Sequence, residues 1–117
     1  MPKDNLIQQK SFDFSLMIID LYMKLQKEHE YVISKQILRS GTSIGANLEE
    51  ALAGQSRKDF IHKLSISSKE ARETKYWLRL LQKSALTKID VSIHLHEIQQ
   101  IVNILTSIIK TTQENSN

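Results

Sequence analysis

Cysteine is absent from the 117 residues, proline occurs once and glycine three times. Without cysteine the chain has no disulfide framework and no thiolate metal site, which fits a reducing compartment. Because proline and glycine both break helices, their scarcity favours an all-α protein. No run of about 18 apolar residues is present, so we expect no membrane association. The first ten residues lack the apolar core of a signal peptide, and we therefore expect a cytoplasmic protein.

The periodicity of the apolar residues predicts four helices. Apolar side chains recur three and four residues apart at about 4–27, 32–53, 57–84 and 90–112. Four such helices joined by short turns predict an up-down-up-down antiparallel four-helix bundle, with one domain over 1–117. The expected inner stripes are Ile7, Phe14, Ile18, Leu21 and Leu25 in the first helix; Ile33, Ile37, Ile44, Leu48 and Ala51 or Leu52 in the second; Phe60, Leu64, Ser67, Ala71, Thr74, Leu78 and Leu81 in the third; and Ile93, Ile98, Ile101, Leu105 and Ile108 in the fourth.

Two helices carry more apolar residues than one stripe requires. In the first, Phe12, Ile19 and Tyr22 are expected to widen the inner face. In the fourth, a second stripe consists of Leu95, Val102 and Ile109. An apolar face this wide exceeds what a single bundle core needs, so we expect the fourth helix to contact another subunit.

Small residues occupy the middle of the second predicted helix, where Gly41 and Gly45 lie four apart. The segment is either a loop that splits the helix or a helix whose small side chains let a neighbouring backbone approach. The apolar spacing continues across both glycines and favours the helix, although each glycine costs about 1 kcal/mol relative to alanine. Gly54 is expected to cap its C-terminus.

Capping patterns mark the start of the last two helices. Ser56 precedes Asp59 by three residues, which is a capping-box spacing with Asp in place of Glu. Asp90 is the expected N-cap of the fourth helix.

Positive charge is concentrated in residues 55–88, which carry nine Lys/Arg against three Asp/Glu, whereas the rest of the chain carries seven against ten. Within this segment, residues spaced alternately four and three apart fall on one helix face, in a row about 37 Å long at 1.5 Å per residue. We call this row the cationic stripe: Lys58, His62, Ser65, Lys69, Arg72, Tyr76, Arg79 and Lys83. It predicts a polyanion as partner. The alternative is an ordinary solvated helix face.

Polar residues also line the facing sides of the second and third helices. Arg39, Asn47 and Glu50 form a polar line on the second helix, and Glu70 and Glu73 offer acceptors on the third. We expect a buried network in which Arg39 forks onto Glu73 or Glu70 and fixes the helix register. The alternatives are a solvent-facing surface or a binding site.

No residue pattern indicates catalysis or a metal. A di-iron bundle needs Glu-x-x-His pairs, whereas this chain has only the reverse order, His94-x-x-Glu97. No serine stands in a triad context, and the segment from Gly41 to Gly45 lacks the Gly-Lys-Ser/Thr ending of a phosphate loop. We expect no enzyme, no cofactor and no metal.

Three stretches resemble the bacterial four-helix-bundle family of 23S rRNA intervening-sequence proteins, which are ribosomal-protein-like. They are residues 11–14 (SFDF), 36–51 (QILRSGTSIGANLEEA) and 56–64 (SRKDFIHKL) running on to 69–78 (KEARETKYWL). The resemblance covers about residues 8–112. It departs from the family at Ser15, Ser67 and Ser68, where alanine-like residues are expected.

The same family includes the accessory variability determinant of diversity-generating retroelements. The resemblance implies a homopentameric assembly without catalytic activity. It also implies that basic members bind RNA or DNA, in the retroelement case together with a reverse transcriptase.

Sequence and resemblance together predict a non-enzymatic, oligomeric bundle that binds nucleic acid, RNA rather than DNA. The expected contact residues are Lys58, His62, Lys69, Arg72, Tyr76, Arg79 and Lys83. The competing hypothesis is a protein-interaction scaffold whose basic face docks an acidic protein or a reverse transcriptase.

Overall fold

In the computed structural model the chain folds into four α-helices and no strand, over the described residues 2–115, with side chains described from residue 5 onward. Helix α1 spans Pro2–Lys27, α2 Ile33–Leu52, α3 Arg57–Lys83 and α4 Ser92–Glu114. Every predicted helix is confirmed, with ends displaced by at most two residues. Residues 1, 116 and 117 of the predicted domain lie outside the described part.

The helices pack as a four-helix bundle of 49 × 21 × 21 Å. Around the bundle, α1 packs against α2 and α4, and α3 packs against the same two helices. Within residues 2–115, no Cα atoms of α1 and α3 come within 8 Å of each other, so these two helices lie diagonally across the bundle. The outer faces of α1 and α3 therefore point in opposite directions.

The predicted inner stripes form the core. The fully buried large side chains come from all four helices: Ile7, Phe14, Ile18, Leu21, Leu25, Ile37, Ile44, Leu48, Leu64, Leu78, Leu81 and Ile98. Three predictions are wrong, because Ile93 is 69% exposed, Phe12 61% and Ile19 41%. Phe12 and Ile19 belong to a separate, outward stripe of α1 rather than to a widened inner face.

The wide apolar face of α4 is used inside the chain. Ile101, Leu105 and Ile108 of the first stripe and Val102 of the second are buried, and Leu95 and Ile109 pack against the core. These contacts use most of the wide apolar face within the chain, and a subunit contact on α4 stays a prediction. Apolar side chains on this helix face both α1 and α3, and two neighbours require a wide face.

The small residues in α2 allow α1 to approach closely. The helix continues unbroken through Gly41 and Gly45, which confirms the helical interpretation. A Cβ atom added at Gly41 would lie 2.9 Å from both Cγ1 and Cγ2 of Ile18, whereas one at Gly45 would have its nearest contact at 3.6 Å, to Ser11 Cβ. Gly41 is thus required by packing, and Gly45 is not.

Hydroxyl groups join α2 to α3 inside the bundle. Ser67 Oγ donates to the Ile44 carbonyl at 2.8 Å, and Thr74 Oγ1 donates to Ser40 Oγ at 2.8 Å. Both pairs are buried and hydrogen-bonded, so they add directional contacts to an interface of small side chains. Ser67, where the family resemblance favours alanine, therefore has a structural role.

The helix ends match the capping predictions in part. Ser56 caps α3 by accepting from the Asp59 amide at 3.1 Å, as expected. Asp90 lies two residues before α4 rather than at its N-cap, which is Val91, but its carboxylate accepts the Ser92 amide at 2.9 Å. Gly54 does not adopt the left-handed conformation of a glycine cap, and Ala53 is the C-cap of α2.

A buried carboxylate begins α2. Glu30 Oε1 accepts the Ile33 amide at 2.9 Å, and Glu30 Oε2 accepts the Ser34 amide at 2.8 Å. The preceding residue, His29, turns the chain with a φ of 64°. The carboxylate satisfies amides that the first turn of a helix leaves unpaired. The sequence does not indicate this role, because Glu is not a usual N-cap residue.

Candidate nucleic-acid interface

Helix α3 presents the cationic stripe to solvent along almost its whole length. Each of its members is exposed except Ser65, which is partly buried and donates its hydroxyl to the Ile61 carbonyl at 2.8 Å. The opposite side of α3 carries Leu64, Ala71 and Leu78, which are buried in the core. The helix is therefore amphipathic, and its polar face is the cationic one.

The cations of the stripe are not neutralised by carboxylates. Among the described residues, none of its lysines and arginines forms an ion pair. Arg72 donates to a neutral group, Thr106 Oγ1, at 3.3 Å. Unpaired cations on one helix face sum to a positive potential that attracts anions.

The acidic residues in the middle of α3 face α2. Arg39 Nη1 lies 3.4 Å from Glu70 Oε2, and Arg39 Nη2 hydrogen-bonds Glu73 Oε2. The arginine that the sequence placed opposite these carboxylates thus lies between them. Because Glu70 and Glu73 are held by α2, they are kept away from the outer face of α3.

The predicted polar network differs from the observed one in two respects. The Arg39 side chain is 50% exposed, so the network lies at the bundle surface rather than being buried. Asn47 bonds the Ser43 carbonyl of its own helix at 2.8 Å, and Glu50 pairs with Lys63 at 3.2 Å. Arg39 and Glu50 meet different turns of α3, and Asn47 bonds within α2, so these residues form separate contacts.

An aromatic pair is attached to this network. Trp77 Nε1 donates to Glu73 Oε2 at 3.0 Å, and the rings of Tyr76 and Trp77 meet edge to face, with centroids 5.2 Å apart. Trp77 packs against the core, whereas Tyr76 is 53% exposed within the stripe. The network thereby restricts the ring beside Tyr76.

Helix α4 extends the polar surface beside the stripe. Lys75 donates to Gln99, which in turn donates to Asn103 at 2.9 Å. A shallow groove between α3 and α4 is lined by Arg72, Thr106 and Lys110 among others. The sequence pattern did not indicate Lys110, because spacing within one helix does not show which residues of another helix lie beside it.

His62 has a different environment from the rest of the stripe. It lines a groove at the α2–α3 turn together with Glu50, Asp59 and Lys63. The carboxylates of Glu50 and Asp59 reduce the positive potential at the His62 end of the stripe. The cationic character is therefore strongest from Lys69 to Lys83.

Two groups with shifted pKa values lie outside the stripe, at the start of α4. Hydrogen bonds from the side chains of Ser92 and Gln82 lower the pKa of Asp90 from 3.8 to about 2. Burial lowers the pKa of His94 below 6.5; Lys24 acts in the same direction, while Asp20 and Asp90 oppose it. The Nδ1 atom of His94 is buried without a hydrogen-bond partner in the described structure. A neutral imidazole is the form that this setting favours.

The described residues contain no group of three or more histidines, aspartates or glutamates placed to hold a metal ion. Within the same part of the chain, no helix is both long and apolar enough to cross a bilayer.

Comparison with known proteins relates these features to a family. Residues 3–107 match the 23S rRNA-intervening sequence protein family. A crystal structure of a protein of unknown function from the S23 ribosomal protein family of Bacteroides thetaiotaomicron VPI-5482 is similar, with 48% identity and a TM-score of 0.86. The alignment covers 92% of this chain and 98% of that one. Comparison with curated proteins gives no match. The resemblance seen in the three sequence stretches therefore reflects true relationship. The chain belongs to the 23S rRNA-intervening sequence protein family.

Proposed function

We propose that the protein is a non-enzymatic, oligomeric nucleic-acid-binding bundle of the cytoplasm, with RNA preferred over DNA. The observation that carries this proposal is the separation of charge on α3. Its central acids pair with Arg39 of α2, while its outer cations are exposed and unpaired. An extended row of unneutralised cations matches an extended polyanion better than it matches a compact acidic ligand.

The expected contacts are nonspecific in sequence. Lys58, Lys69 and Lys83 would meet phosphates as point charges, and Arg72 and Arg79 as planar forks. Such contacts release counterions, so the binding constant for a single strand should fall as salt is added. The slope of log K against log salt concentration should be about −0.7 per phosphate contacted. No side chain of the stripe is placed for reading base edges in a groove, and we expect tolerance of sequence.

The competing function is a scaffold that docks an acidic protein or a reverse transcriptase. Charge reversal at Arg72→Glu with Arg79→Glu distinguishes the two, with Lys27→Glu with Lys35→Glu as a control of equal charge change on other exposed positions. We expect the first pair to weaken RNA binding by about tenfold or more at low salt and to lower the salt slope by roughly 1.4, which is two phosphate contacts. The control pair should have a much smaller effect.

The result that contradicts nucleic-acid binding is equal affinity of both double variants for RNA. The size of the assembly should be measured in parallel by light scattering. If Arg72→Glu with Arg79→Glu dissociates the oligomer, these residues are interface ion pairs and the proposal fails.

We further propose that self-association uses the outer face of α1. Phe12, Leu16, Ile19 and Met23 are spaced four, three and four apart and are 41–61% exposed. They form an apolar stripe about 16 Å long on the diagonal opposite of α3. Copies that associate here leave every cationic stripe facing outward, and several stripes on one particle would bind one strand with avidity. The family resemblance favours five copies.

This surface is tested by Leu16→Asp, with Ile93→Asp as the matched control because Ile93 is an exposed apolar residue of α4. We expect Leu16→Asp to reduce the particle mass in light scattering and Ile93→Asp to leave it unchanged. The reverse result would place the subunit contact on α4 and overturn the assignment to α1.

A further inference from the structure

The aromatic residue within the stripe specifies which form of nucleic acid fits. Tyr76 lies between Arg72, one turn before it, and Arg79, one turn after it. Phosphate binding alone needs only the cations. An exposed aromatic ring among them adds affinity only where the ligand offers a flat, apolar surface, and the face of a nucleobase is such a surface.

The position of Tyr76 is restricted by the chain itself. Its ring contacts Trp77 edge to face, Trp77 is hydrogen-bonded to Glu73, and Glu73 is paired with Arg39 of α2. A side chain on an unsupported helix surface would have no such series of contacts. Restricting the ring before binding lowers the conformational entropy lost when a base stacks on it.

A duplex cannot use this ring. Stacking needs the flat face of a base, whereas the grooves of a duplex expose only base edges. The deep, narrow major groove of A-form RNA does not admit side chains even to those edges. On a duplex Tyr76 would find no base face to stack on, because the faces of paired bases are covered by their neighbours.

We infer that the stripe takes unpaired nucleic-acid segments, with a base stacked on Tyr76 and the flanking phosphates held by Arg72 and Arg79. This inference rests on the proposed function and adds the class of ligand: single strands, loops and unpaired ends rather than duplex. The stacked base contributes affinity without reading sequence, because every base has a π-face.

The chain supplies its own probe, since Trp77 is its single tryptophan and lies 5.2 Å from the Tyr76 ring. The quenching of its fluorescence should be titrated with three ligands of equal length, each long enough to span the stripe. These are an oligothymidylate, a strand of abasic deoxyribose phosphates, and a duplex. Anisotropy of labelled ligands gives the affinities independently of tryptophan.

We expect the oligothymidylate to bind roughly 5- to 150-fold more tightly than the abasic strand, which is the range for one stacked base. Tyr76→Ala should reduce the affinity for oligothymidylate to that for the abasic strand, and Tyr76→Phe should keep the preference because it retains the ring. Tyr31→Ala removes an exposed tyrosine outside the stripe and should change nothing.

Equal affinity for the base-bearing and abasic strands, tighter binding of the duplex, or an unchanged preference in Tyr76→Ala would each overturn the stacking inference. In those cases salt-dependent binding to the phosphate backbone would still support the proposed function. Absence of binding to all three ligands at low salt would overturn both.

Discussion

Replacing Gly41 with alanine tests the close packing of α1 on α2. The new Cβ would lie 2.9 Å from two carbons of Ile18, a fully buried residue. Ile18 is β-branched and stiff at χ1, so it cannot swing away without moving α1. Overpacking of this kind costs about 1–3 kcal/mol, and the higher helix propensity of alanine returns about 1 kcal/mol. The free energy of unfolding should therefore fall by up to about 2 kcal/mol.

Gly45→Ala is the matched control in the same helix. Its Cβ would have its nearest neighbour at 3.6 Å, an ordinary van der Waals distance. Alanine gains helix propensity here without a packing cost, so this variant should be more stable than the parent by about 1 kcal/mol. Both variants replace glycine with alanine and so change the unfolded chain equally. The difference between their free energies of unfolding therefore isolates the packing cost, about 1–3 kcal/mol.

The measurement is thermal and urea unfolding followed by circular dichroism. For a chain of this length about 1 kcal/mol corresponds to roughly 4 °C in Tm, so the two variants should differ by about 4–12 °C. Protein concentration must be held constant, because self-association raises Tm with concentration. Equal stability of the two alanine variants would refute the packing argument. A smaller cost of Gly41→Ala in an Ile18→Ala background, which lacks both Cγ atoms, would support it.

Three further predictions concern helix ends and the protonation of a buried imidazole. Glu30→Ala should lower the free energy of unfolding by about 2 kcal/mol in urea titrations, because backbone amides at the start of α2 lose their carboxylate acceptor, and Glu30→Gln should cost less. Ser56→Ala should cost about 1 kcal/mol in the same assay through loss of the α3 cap, and no change would mean that water replaces the hydroxyl. The pKa of His94 is lowered below 6.5 in the folded state, so the unfolded state binds more protons below about pH 6.5 and stability should fall as the pH is lowered from there. His94→Gln should flatten that part of the profile of unfolding free energy against pH, and an unchanged slope would show that another group is responsible.

The sequence was sufficient for the helices and for most of the core. Periodicity identifies an apolar face, and the inner stripes of α1, α2 and α3 were found in this way. It does not show which of two apolar faces points inward, and so Phe12 and Ile19 were assigned to the core although they lie on the outside.

For the candidate site, the sequence could predict which residues share a face of one helix. The spacing of Lys69, Arg72 and Tyr76 predicted a shared face, and these residues are exposed together on α3. The position of Lys110 beside the stripe depends on how α4 packs beside α3, and local spacing carries no such information. The pairing of Arg39 with Glu73 was expected, but its half-exposed position depends on the rotation of α2, which the polar residues alone did not fix.

The salt dependence of binding to an unpaired RNA strand tests the central claim most directly. Affinity should be measured by anisotropy from low to moderate salt and plotted as log K against log salt concentration. The five lysines and arginines of the stripe predict a slope of up to about −3.5 for each chain in contact with the strand. A slope near zero, or no binding at low salt, would contradict the account of the α3 face as a surface for nucleic acid.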